Sequence, residues 1–115
     1  MINPHEHLQR IVDLTEQYAL ADKTLTSLES FKSAIKAIQM NESKQVSAVM
    51  KEMDAYSSKA YKEWAINYAE AKRNYTSLRL QIESAKLHLE VWRSQEASNR
   101  TTDKTLRWHT EIRNY

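Results

Sequence analysis

The chain contains no glycine, and its single proline is residue 4 of 115. Glycine supplies the positive φ that many helix stops and tight turns require, and proline punctuates helices and sheets. A sequence lacking both beyond Pro4 has few ways to turn. Long helices joined by one or two glycine-free connections are expected, and a many-turned β architecture is not. The length sets a single domain, 1–115, and a compact globule of that size would bury about two thirds of its unfolded surface.

Asn3-Pro4-His5-Glu6 is a helix start, with Asn as N-cap, Pro at the first helical position and Glu three residues past the cap. Behind it Ile11, Leu14, Tyr18, Ala21, Leu25 and Leu28 recur in steps of three and four, and Phe31, Ile35 and Ile38 follow after a one-residue slip. This predicts an amphipathic helix over about 4–39. Residues 39–43 are the expected turn, with Asn41 tolerating the left-handed conformation and Asn or Ser capping the next helix. A second pattern begins with Val46, Val49, Met53, Tyr56 and Ala60, takes two steps of four through Trp64 to Tyr68, and runs on in strict heptads as Ala71, Tyr75, Leu78, Ile82, Ala85, Leu89 and Trp92. The two steps of four read as a stutter, which locally unwinds a left-handed supercoil. The expectation is one helix over 43–97, roughly 80 Å long. The polar run 97–103 marks a second interruption, after which Leu106, Trp108, Ile112 and Tyr115 form a short helix over 103–115.

Folded back antiparallel, a first helix of about 35 residues covers only 43–78 of the second at ~1.5 Å per residue. The overhang is the most apolar part of the chain, because the seam of Leu78, Ile82, Ala85, Leu89 and Trp92 has a second stripe of Leu80, Leu87 and Val91 opposite it. A helix apolar on two sides is normally buried on two sides. Leu78, Leu80, Ile82, Leu87, Leu89, Val91 and Trp92 are therefore the expected oligomer interface. Burial of three Leu-sized side chains is worth roughly 1.5–3 kcal/mol each, which matters against a total stability of ~5–15 kcal/mol.

Charge is uneven along the chain. Residues 1–71 hold eight Lys/Arg against ten Asp/Glu, and residues 72–115 hold nine against five. In the heptad frame Lys72, Arg79, Lys86 and Arg93 occupy e positions about 10.5 Å apart along one edge. Such a rail suits a phosphate backbone, with Arg100 and Arg107 extending it and Trp92, Trp108 or Tyr115 offering stacking faces. The competing reading is a solvated edge, since Glu83 and Glu90 stand three residues before Lys86 and Arg93 and can pair with them. Tyr61, just off the stripe, is expected to face outward or to contact a partner.

Other chemistries find little support in the residues. There is no Cys, which excludes disulfides, thiolate metal sites and cysteine nucleophiles. His5 and His7 lie two apart and point to different sides of a helix, so no metal site is expected, and His88 and His109 read as ordinary surface positions. Glu52, Asp54, Glu63 and Glu70 are scattered along a rod without a cleft to perturb them, and a phosphate-cradling loop needs glycine. No cofactor and no catalytic residue is assigned. Glu6, Arg10 and Asp13 break any apolar run near the start, and no stretch approaches the ~18 apolar residues of a membrane span. Neither a signal peptide nor a membrane association is expected, and the expected location is the cytoplasm, or a host's cytoplasm.

The stretch Leu87-His-Leu-Glu-Val-Trp-Arg-Ser-Gln-Glu-Ala-Ser-Asn-Arg100 resembles the ending of small all-helical phage or prophage proteins, in which a Leu-Glu-x-Trp-Arg-Ser run closes a long helix. Such proteins are often encoded among recombination and replication functions. The resemblance implies a role in phage DNA metabolism and assigns no catalytic or binding residue.

The sequence thus predicts an all-α, elongated, coiled-coil-like helical hairpin with one very long helix and a short C-terminal one, assembling as a homo-oligomer. The expected function is that of a non-enzymatic accessory protein of phage-type DNA recombination or replication, contacting DNA or a DNA-processing protein. The alternative is a purely structural or regulatory coiled-coil module that meets another helical protein and no nucleic acid.

Overall fold

A computed structural model describes residues 3–113. The chain forms three helices, α1 (Pro4–Glu42), α2 (Ala48–Ser57) and α3 (Lys59–Arg113), folded as an elongated hairpin of 99 × 21 × 17 Å. α1 starts where the sequence places it: the Asn3 side chain accepts from the backbone N–H of His5 at 3.0 Å and of Glu6 at 3.4 Å. These bonds satisfy two of the donors that a helix start leaves open.

The reversal uses no left-handed residue. Among the described residues none has positive φ, and Asn41 stays inside α1. Serines in extended backbone serve instead: Ser43 (φ −68°, ψ 138°), Ser47 (φ −82°, ψ 147°) and Ser58 (φ −66°, ψ 151°). Each hydroxyl accepts from a backbone N–H just beyond it, Gln45 at 3.2 Å, Met50 at 3.1 Å and Tyr61 at 3.2 Å. The side chain makes up for the ladder bond that the break removes. α1 therefore runs past the expected end at 39, and the region 43–58 is a two-joint corner with α2 between its joints.

The helix expected over 43–97 is thus corrected at both ends. It is broken at Ser58, and the interruption expected over 97–103 does not occur, so the short helix expected from 103 is the end of α3. The polar run contains neither Gly nor Pro and stays helical; the hydroxyls of Thr101 and Thr102, like that of Thr105 beyond it, donate to the carbonyl four residues back at 3.0 Å and do not cap a break. Tyr115 and the side chain of Ile112 lie outside the described residues.

α1 and α3 pack antiparallel along the expected seam. Leu14, Ala21, Leu25, Trp64, Leu78, Ala85 and Leu89 are buried, with Tyr18, Tyr75 and Ile82 partly buried against them. Polar contacts fix the register. Tyr18 donates to the Tyr75 hydroxyl at 2.6 Å across stacked rings, and the Trp64 indole N–H donates to the Leu28 carbonyl at 2.7 Å. Tyr68 donates to Glu29 at 3.1 Å. The first helix departs from expectation after Leu28. Phe31 and Ile38 are exposed, and the face continues through Ile35 and Lys36, so the proposed slip is not followed.

Val46, in the connection before α2, is 98% exposed, and within α2 Val49, Met50 and Met53 turn outward while Ala55 is fully buried. The stripe expected through Val46, Val49 and Met53 therefore does not join the seam. α2 is held by Lys36, which bridges Glu52 at 2.9 Å and lies 4.9 Å from the Tyr56 ring centroid. Tyr61, expected to face outward or to contact a partner, is half-buried between Tyr56 and Trp64, with ring centroids 5.1 and 5.5 Å away. Heptad spacing in α3 thus begins at Tyr61 and reaches Trp64 and Tyr68 in steps of three and four. The apparent stutter is the joint at Ser58.

Candidate functional site

Because the corner spends residues 43–58, α1 pairs further along α3 than the simple hairpin predicts. His7 lies beside Ala85 and His88: its Nε2 donates to the Ala85 carbonyl at 2.5 Å, and the two imidazole centroids are 6.2 Å apart. Coverage therefore extends to about Leu89 rather than 78. This corrects three members of the expected oligomer interface: Leu78 and Leu89 are buried in the hairpin's own seam, and Ile82 is half-buried there. Trp92 is half-buried where the seam runs out.

The other three remain open. Leu80, Leu87 and Val91 are 54%, 60% and 54% exposed. At about 100° per residue they point away from the seam, and they belong to a longer row. Ile66, Ala69, Arg73, Ser77, Leu80, Ser84, Leu87, Val91, Ser94 and Ser98 follow one another in steps of three and four, and all are exposed. Arg73 is its only charged member, and its guanidinium is taken by Glu70 at 2.7 Å, which raises the arginine above its ordinary range. An open groove of about 800 Å³ lies over part of this row, lined by His7, Arg10, Ala69, Lys72, Arg73, Thr76, Ser77, Leu80, Gln81, Ser84, Ala85 and His88. His88, read from the sequence as an ordinary surface position, and His7 and Arg10, given no role there, thus sit beside the row. No signal short of the helix register would have brought the first two to the third.

The cationic edge is only partly drawn into this groove. Lys72 lines it, while Arg79, Lys86 and Arg93 do not. All four are exposed, as are Arg100 and Arg107 on the stretch of α3 beyond α1. Among the described residues no ion pair joins Glu83 or Glu90 to Lys86 or Arg93; the bridges formed are Lys36–Glu52, Lys59–Glu63 and Arg73–Glu70. No group of three or more His, Cys, Asp or Glu capable of holding a metal occurs among the described residues, and no described helix is long and apolar enough to cross a membrane.

No protein-family model, curated protein or solved structure matches the chain.

Proposed function

We propose that this protein is a non-enzymatic helical accessory factor that works by self-association and by contact with DNA or a DNA-processing protein, in phage-type recombination or replication. The observation that carries the reading is the division of α3 into faces: one buried in the hairpin, an opposite row open at Leu80, Leu87 and Val91, and between them an edge of exposed Lys72, Arg79, Lys86 and Arg93. An apolar row left open on a stable hairpin supports association, and a cationic edge without an intrahelical ion pair among the described residues supports a polyanion. The phage setting rests on the resemblance of Leu87–Arg100.

Sedimentation equilibrium and salt-dependent binding to single- and double-stranded DNA together test the proposal. A reversible oligomer whose DNA affinity falls steeply with salt is the expected result. A monomer with no affinity for DNA at low salt overturns it.

A second reading, a structural or regulatory module that docks another helical protein, is favoured by α2. Its outward residues Val49, Met50 and Met53 form one apolar side at the tip of the hairpin, with exposed Val46 just before it, and Met gives an adaptable contact surface. Binding of a helical partner that is lost in Met53→Glu, with no DNA binding, would select it.

A further inference from the structure

We infer that the open row of α3 is a self-complementary surface on which a second copy of the chain docks antiparallel, about a two-fold axis passing between Ser84 and Ala85. This rests on the self-association reading above and adds the partner's polarity and register.

The argument starts from the charges beside the row. Along one edge they alternate as Arg79, Glu83, Lys86 and Glu90. Reversed about the point between Ser84 and Ala85, Arg79 falls opposite Glu90 of the copy, and Glu83 falls opposite Lys86 of the copy. Every charge in the set meets its opposite, twice over by symmetry. In a parallel pair that edge would face the other flank of the copy, Gln81, His88 and Gln95, and none of the four charges would meet its opposite.

The same axis suits the apolar residues. Leu80 of one copy falls between Leu87 and Val91 of the other, as a side chain entering the gap between two neighbours does in helix packing. Small Ser77, Ser84 and Ser94 around it let the helices approach. The flank on the other side carries Gln81, His88 and Gln95 and adds no like-charge contact.

Size is consistent with a reversible dimer. The row spans residues 66–98, and its overlap with the reversed row of the copy, residues 71–98, is roughly 40 Å long at ~1.5 Å per residue. With a contact strip about 10 Å wide it removes roughly 800 Å² over both copies, the size of a weak, transient pairing. In such a pair Arg79 and Lys86 are engaged by the partner, and phosphate contact falls to Lys72, Arg93, Arg100 and Arg107.

The chain has no cysteine, so single-cysteine variants of the full-length protein report polarity directly. In the antiparallel pair Ser84→Cys links to its own copy under mild oxidation. Ser77→Cys and Ser94→Cys alone do not link, because each meets a different residue, but an equimolar mixture of the two yields disulfide heterodimer. Separately, Glu90→Arg weakens dimerisation by about fivefold through its two symmetry-related contacts, and adding Arg79→Glu restores it. Arg79 and Glu90 are too far apart along one helix for that rescue to arise within a chain.

If the wild-type chain dimerises while Ser77→Cys and Ser94→Cys each link to themselves, the packing is parallel and this proposal alone falls. A dimer in which none of the variants links uses another face and also overturns it. If the wild type sediments as a monomer at 100-micromolar concentration, the self-association reading falls with it.

Discussion

The hydroxyl of Tyr18 donates to that of Tyr75 at 2.6 Å while their rings stack at 4.7 Å, tying the middle of α1 to the first third of α3 by a bond that exists in one register only. The bond to Tyr75, and then burial, hold the Tyr18 phenol above its ordinary value of 10.0; Tyr68 is raised likewise, first by its bond to Glu29. A phenol whose folded pKa is raised stabilises the fold below the unfolded value and loses that contribution as pH rises through the folded one. Absorbance titration should show Tyr18 and Tyr68 ionising above 10.0, and Tyr75→Phe and Glu29→Gln should bring each back toward it. A titration curve unchanged by either substitution would contradict the packing.

The corner should depend on pH at both extremes. Glu52 is lowered from 4.5, by its bonds to Lys36 first and to Tyr56 second. Lys36 is raised from 10.5 by Tyr56 and then by Glu52. The carboxylate's contribution is present above the unfolded Glu value and lost as pH falls through the depressed folded value; the amine's is present below the unfolded Lys value and lost as pH rises through the raised one. Between those limits the clamp is intact. Thermal melts of Lys36→Met across pH should therefore differ most from wild type near neutrality and converge with it in acid. A constant difference down to pH 2 would show that the ion pair does not hold α2.

Two leucines nine residues apart on one helix should behave oppositely. Leu78 is 6% exposed in the seam and Leu87 is 60% exposed on the open row. Leu78→Ala should cost about 2–5 kcal/mol of unfolding free energy. Leu87→Ala at dilute concentration should stay within about 0.5 kcal/mol of wild type, its effect appearing in the dimerisation constant instead. Equal losses from urea melts would mean that the two faces are not distinct.

If phosphates meet the cationic edge, log affinity for DNA should fall with log salt at roughly −0.7 to −0.9 per contact. Arg93→Gln with Arg100→Gln should make that slope shallower while leaving helix content unchanged in circular dichroism. An unchanged slope moves the DNA contact elsewhere on the chain.

The seam of α3 was legible in the sequence because apolar and aromatic residues at Tyr68, Tyr75, Leu78, Ile82 and Leu89 repeat without competing signals. The corner was not. Val46, Val49 and Met53 match helical spacing as well as the true contact residues do, and periodicity records a face without saying which way it points. What decides the orientation of α2 is a tertiary arrangement, the reach of Lys36 to Glu52 and the small size of Ala55, which no local pattern encodes. Ser58 was missed for a related reason: a serine is compatible with the middle of a helix, and only its extended backbone and its cap on Tyr61 make it a joint. The separation of Leu80, Leu87 and Val91 from the seam was legible too, but the point where α1 stops covering α3 depended on how many residues the corner takes up.

The 99 Å length has a consequence for how the molecule moves through water. Its radius of gyration of 27.1 Å is about twice the ~13 Å of a compact chain of this size and matches that of a globule of roughly 700 residues. A single copy will therefore leave a gel-filtration column early and tumble slowly about its short axes, so elution volume and rotational diffusion both imitate a large assembly. Antiparallel partners lying side by side add thickness and only moderate length, so the step from one copy to two changes friction far less than it changes mass.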